Sequence, residues 1–227
     1  MKKSFPLRPL ALLAFALYTA VPALAADPAI DEGVARVAHR WAAITYQMPE
    51  GEREAAFKVL VEQARSFAVA NPGKPEPMIW QAISLAGYAK ANGGIGALSA
   101  AREARDLLLA AEKIDPNALN GSIYTSLGSL YAKVPGWPVG FGDKKKAREY
   151  LEKAVAMNPQ GMDANYLYAD FLADQGEYAK AAARLKLAQV APPRPGREDA
   201  DKGRLLEVES LLAELQRKHP DALAAAK

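Results

Sequence analysis

Few residues in this chain are of a type and spacing that could do chemistry. Its two histidines, His39 and His219, stand in opposite terminal regions, and it contains no cysteine. A zinc site or a histidine-based triad needs several such groups to converge, so neither is expected, and no metal, cofactor or catalytic residue is assigned. His39 reads as a residue on a helix face and His219 as a basic group near a helix C-terminus. Asp163, Asp170 and Asp174 recur at helical spacing and would do acid/base work only if burial or a like charge perturbed one of them. A hydrolase is therefore a residual expectation. The glycine-rich run from Gly136 to Gly142, with lysines just beyond, does not satisfy G-x4-G-K-[ST], and no strand precedes it. Gly93-Gly94-Ile95-Gly96 fails the dinucleotide fingerprint for the same reasons.

A different kind of site is suggested by Val134-Pro135-Gly136-Trp137-Pro138-Val139-Gly140-Phe141-Gly142-Asp143. Prolines stiffen this loop, glycines allow unusual turns, and two large aromatics ride on it, which is a low-entropy way to present apolar surface to a partner. In the alternative reading Trp137 and Phe141 fold back as plugs, and Asp143 merely caps the helix starting at Lys144. The sequence leaves both open.

Proline and glycine punctuation predicts the elements that must carry these residues: helices at about 29–47, 52–71, 76–92, 97–114, 119–133, 144–157, 162–175, 178–190 and 197–218, and no strand. Within them, Tyr124-x2-Leu127-Gly128-x2-Tyr131 precedes Ala147-x3-Leu151, Ala154 and Pro159. Small residues at Gly128, Ala147 and Ala154 let two antiparallel helices cross closely, large ones fill the holes beside them, and Pro159 ends the second helix. Ala181, Leu185, Ala188 and Pro193 repeat that series after about 34 residues, behind a first helix with Tyr168, Ala169 and Leu172. Upstream, Ala104, Leu108, Ala111 and Pro116 repeat it again, with Trp80, Ile83 and Ser84 before them. These motifs resemble the tetratricopeptide repeat (TPR), which implies an all-α, right-handed solenoid of antiparallel helix hairpins with terminal capping helices.

Four regions are expected: a cleaved signal peptide at 1–25, a helical hairpin or cap at 26–75, about three TPR-like helix pairs at 76–195, and a capping helix with a tail at 196–227. The first hairpin has helical periodicity in Val34, Val37, Ala38, Trp41 and Ile44 but lacks the small-residue signature. The last helix places Leu205, Val208, Leu212 and Leu215 on one face, with Glu207, Glu209, Glu214 and Arg217 largely opposite. The Trp80 and Tyr124 copies exceed the 34-residue period by about eight and seven residues at the same internal turn. Insertions repeated there should emerge on one edge of the array.

First helices line the concave side of such an array. Their phase predicts a surface running from Met78, Gln81, Leu85 and Tyr88 through Ser122, Thr125, Ser129 and Lys133 to Asp163, Tyr166, Asp170 and Asp174. Apolar at one end and acidic at the other, it would complement a peptide with an apolar and a basic portion. Candidate binding residues are therefore Trp137, Phe141, Pro135, Tyr88, Tyr166, Asp170 and Lys133.

The N-terminus has a charged start (Lys2, Lys3, Arg8), an apolar run from Leu10 to Val21 and an Ala23-Leu24-Ala25 cleavage pattern, so export to a periplasm is expected. The run is too short for a comfortable membrane span, and no stable membrane insertion is expected. The full chain carries 29 Lys+Arg against 26 Asp+Glu, and the three basic residues of the leader account for the excess. A formally neutral mature protein lacks what nucleic acid or an anionic membrane would require of it. Self-assembly is permitted by the edges of a solenoid without being required.

One narrower resemblance is carried by Leu127-Gly128-Ser129-Leu130-Tyr131, by Val134-Pro135-Gly136-Trp137-Pro138 with Phe141-Gly142-Asp143, and by Pro192-Pro193-Arg194-Pro195-Gly196-Arg197. These blocks resemble the T-component (TatT-like) family of tripartite ATP-independent periplasmic (TRAP) transporters. The resemblance implies a helical periplasmic protein that partners a solute-binding transport component and handles a small apolar ligand. Family members are often lipoproteins; this chain has no cysteine to carry a lipid.

Overall fold

The computed structural model describes residues 27–221. The predicted signal peptide and the end of the predicted tail lie outside the described residues. Nine α-helices occur among the described residues: α1 (Pro28–Gln47), α2 (Glu50–Ala70), α3 (Pro75–Asn92), α4 (Gly94–Ile114), α5 (Ser122–Lys133), α6 (Lys144–Met157), α7 (Met162–Asp174), α8 (Tyr178–Gln189) and α9 (Glu198–Lys218). The fold is an all-α helical solenoid.

Hairpins α3/α4, α5/α6 and α7/α8 are built on the predicted small-residue crossings. Ala104, Ala111, Ala147, Ala154, Ala181 and Ala188 are all fully buried. A Cβ added to Gly128 would lie 2.5 Å from Leu151 Cγ, so glycine is what permits that crossing. In the third copy the place of Trp80 and Tyr124 is taken by Asn165, which the sequence reading passed over. It is fully buried, and its side-chain amide donates to the Pro159 and Gly161 carbonyls at 2.9 and 3.0 Å, holding the turn into α7.

Three local expectations are corrected. The first hairpin does have small residues at its crossing: a Cβ on Gly33 would meet the Phe67 ring at 2.2 Å, and Ala42 and Ala64 are fully buried. The extra residues near Gly93 do not form an edge loop, because α3 and α4 simply run longer and break only at Gly93 (φ 66°). Finally, α5 starts at Ser122 rather than 119, because Leu119, Asn120 and Gly121 take left-handed conformations in the turn before it (φ 50°, 49° and 88°).

The odd-numbered helices form an inner layer in which α1 touches α3, α3 touches α5, α5 touches α7 and α7 touches α9. Helix α9 then returns to α1, so the array closes on itself, while α4, α6 and α8 lie outside, each against its hairpin partner, and α2 packs chiefly against α3. Two halves of α9 make this possible. Val208, Leu211, Leu212 and Leu215 join the main core, as expected of a cap. Ala200, Gly203 and Arg204 are buried in the half before them, where a Cβ at Gly203 would lie 2.2 Å from the Tyr46 ring of α1. Glu207, expected on the solvent side, joins that seam: it accepts from Tyr46 Oη at 3.4 Å and from Arg204 at 2.6 Å.

Candidate functional site

Closure of the inner layer leaves a central cavity of ≈ 370 Å³, within the range of small-molecule sites. Its apolar wall comes from Trp41, Phe57, Trp80, Ile83, Leu130 and Leu167. One polar wall comes from α5, where Ser122, Thr125 and Ser129 face the cavity as predicted. Two of those hydroxyls are spent on their own backbone, Ser122 on Leu119 O at 2.7 Å and Thr125 on Gly121 O at 3.0 Å.

The other polar wall is charged. Arg204 donates to Asp163 at 2.7 Å, and Arg194 donates to Asp163 at 2.5 Å and to Asp201 at 2.6 Å. Burial opposes ionisation of Asp163, but the Arg204 and Arg194 guanidinium groups outweigh it and hold its carboxyl well below the usual range. Its side chain keeps 34% exposure, and Asp163 lines the cavity. Arg204 also sits 4.7 Å over the Tyr166 ring, whose hydroxyl is pushed up to about 12 by burial and then by Glu207.

The predicted concave surface is realised in part. On α3 the cavity face carries Trp80, Ile83, Gly87 and Lys90 instead of the predicted residues. Gln81 and Leu85 are buried, with Gln81 donating to Glu103 at 3.5 Å, and Met78 packs into the main core. Tyr88 is half-buried between the two apolar clusters. On α5 and α7, Lys133 bridges Asp170 at 2.8 Å and Asp174 at 2.7 Å. Burial works against the Lys133 charge, yet those two carboxylates raise its pKa. The acidic end is thus neutralised within the protein by Lys133, Arg194 and Arg204, which removes the reason to expect a basic peptide there.

The loop between α5 and α6 separates its two aromatics. Its base is fastened by Asp143 N to Tyr131 O (3.0 Å), Gly142 N to Pro135 O (2.9 Å) and Gly140 N to Gly136 O (3.1 Å). Phe141 packs inward, edge-on to Tyr131 at 5.5 Å and under the Arg105 guanidinium at 4.5 Å. Asp143 caps α6, accepting from Lys145 N and Lys146 N. Pro135 is exposed, and Trp137 projects with 90% of its surface accessible beside Val139 at 57%. The plug reading therefore holds for Phe141, and Trp137 stands free.

The histidines are apart, as expected. His39 meets Asp199 at 3.1 Å across the α1–α9 seam, and His219 stacks on Tyr178. Among the described residues no group of three or more His, Cys, Asp or Glu could hold a metal ion, and no helix is long and apolar enough to cross a membrane.

Residues 140–195, spanning α6 to α8 and their flanks, match the tetratricopeptide repeat family. The chain carries a tetratricopeptide-repeat segment over these residues. No curated protein matches it at a significant level. TPR arrays point to protein-interaction scaffolds, and in this one the concave side is closed by its own α9. The sequence signal for that closure was Gly203-Arg204 in the first half of α9, visible only once α1 is known to lie there.

Proposed function

We propose that the protein is a non-enzymatic TPR scaffold that captures a protein partner through the Trp137 loop. The observation that carries this reading is a tryptophan held 90% exposed on a loop whose base is hydrogen-bonded and whose second aromatic is anchored. An exposed indole that is already ordered loses little entropy on docking, and tryptophan is the residue most often found at the energetic centre of an interface. Its resemblance to the TRAP T-component family makes a periplasmic solute-binding protein the proposed partner, and the signal-peptide pattern is consistent with an encounter in the periplasm. Support for a non-catalytic role comes from Asp163, a carboxylate on the cavity wall, which is held ionised by two arginines and so is a poor proton donor near neutrality.

In-cell crosslinking of wild type and Trp137→Ala, followed by mass spectrometry, tests this reading. Capture of a solute-binding transport protein that disappears in the variant is the expected result. Capture untouched by the substitution would remove the site.

A second reading is favoured by the cavity: the scaffold holds a small apolar-bodied molecule. Its volume suits one, and four aromatic side chains, Trp41, Tyr46, Phe57 and Trp80, wall it.

A further inference from the structure

Among the three arginines that α9 and the segment just before it bring to the cavity, Arg197 differs from the other two. Arg194 and Arg204 are committed to Asp163, Asp201 and Glu207. Arg197 forms no ion pair with any described carboxylate, and its Nε is buried without a hydrogen-bond acceptor. Its guanidinium lies 5.1 Å from the centroid of the Trp80 ring, on the cavity wall.

Three further polar groups on that wall are also buried and unpartnered: Trp41 Nε1, Trp80 Nε1 and Thr45 Oγ1. Leaving such a group unsatisfied costs about 1–3 kcal/mol, so four at one cavity call for an explanation. Both indole nitrogens and the guanidinium can only donate, and threonine can donate. A set made of donors is satisfied by a ligand rich in acceptors, and a half-buried guanidinium that forms no ion pair specifically favours an anion. Lys90, exposed at the end of α3 and lining the same cavity, adds to the positive side.

We propose that the cavity binds an amphiphilic carboxylate, with the anionic head set against Arg197 and the indole N–H groups of Trp41 and Trp80, and the apolar body against Phe57 and Ile83. This rests on the second reading above and assigns the ligand's chemical class. A neutral hydrocarbon would fill the volume but leave the four polar groups unanswered. A dianion would meet Asp163 and Glu207 as well as the arginines, so a single negative charge fits best.

The test uses Trp137→Phe protein, so that Trp41 and Trp80 are the remaining tryptophans and both report on the cavity. It is titrated with 3-phenylpropionate and octanoate, and with the corresponding amides, 3-phenylpropionamide and octanamide, while indole fluorescence is followed and calorimetry runs in parallel. At least one acid should bind tenfold or more tightly than its amide. Arg197→Met should abolish that preference, and Arg197→Lys should restore part of it. Equal binding of acid and amide would overturn the anion assignment and leave the cavity reading standing. Binding of neither would overturn both. Should Arg197→Met fail to fold by circular dichroism, Lys90→Met provides the second variant, with a smaller loss of the same preference expected. An unchanged preference there, together with an unchanged one in Arg197→Lys, would count against the proposal.

Discussion

The crossings inside the hairpins and the seam that closes the array are built on opposite principles. At the α5/α6 crossing, Gly128, Ala147 and Ala154 make room for Leu127 and Leu151, all within some thirty residues of one another and all apolar. At the seam, α9 meets α1 and α7 through His39–Asp199, Tyr46–Glu207 and the Asp163–Arg204–Arg194 cluster, with Gly203 against Tyr46 as the one close steric fit. Apolar crossings are interchangeable between repeats and specify a hairpin. Directional ion pairs among groups far apart in the chain specify one end-to-end arrangement, and the cavity exists because of them.

This contrast predicts unequal consequences for substitution. The largest is expected at the crossing: Gly128→Val would force a side chain into Leu151 and destabilise the whole protein by about 3 kcal/mol in chemical denaturation. At the seam, Arg204→Met should cost about 2 kcal/mol, less than for a fully enclosed pair because part of Asp163 is exposed. Its signature is local: hydrogen exchange should speed up in α9 and α1 while α5 and α6 keep their protection. If all helices lost protection together, the seam and the crossings would form one cooperative unit and the distinction would fail.

Acid provides a gentler probe of the same seam. The Asp163 carboxyl is held below its unfolded value of about 3.9, so its contribution is fully present above that value and is lost as pH falls through the depressed folded value. Protection of α9 should therefore be flat from neutrality to about pH 5 and fall only well below pH 4. Loss beginning near pH 6 would implicate a group other than Asp163.

The smallest effects on stability belong to the loop, and they separate its two aromatics. Phe141→Ala should cost about 1.5 kcal/mol by thermal denaturation, since the ring is half-buried on Tyr131. Trp137→Ala should change stability by no more than about 0.5 kcal/mol, even where it abolishes partner capture. Equal costs would mean that the indole is structural.

Helix boundaries, the hairpin repeats and the buried small residues were legible in the chain because each depends on neighbours a few turns away. Periodicity, proline stops and the Ala-x3-Leu-x2-Ala series encode contacts between adjacent helices, and adjacent helices are adjacent in sequence. Even the turn chemistry of Asp143 could be read off its position before Lys144. The binding surface was less legible. Phase alone placed Ser122, Thr125 and Ser129 correctly, but failed on α3, where Trp80 and Ile83 meet the cavity while Gln81 and Leu85 are buried elsewhere.

What the fold alone decides is who meets whom across the ring. Nothing in the local pattern says that Asp163 of α7 would find Arg194 and Arg204, that Gly203 would face Tyr46 more than 150 residues before it, or that Arg197 would be left without an ion pair over Trp80. Those pairings follow from the small rotation each hairpin adds to the last, accumulated until the ninth helix reaches the first. A property that sums over every repeat cannot be read from any one of them, which is why the helices and their hairpins are written in the residues while the cavity and its unpaired guanidinium emerge only on closure.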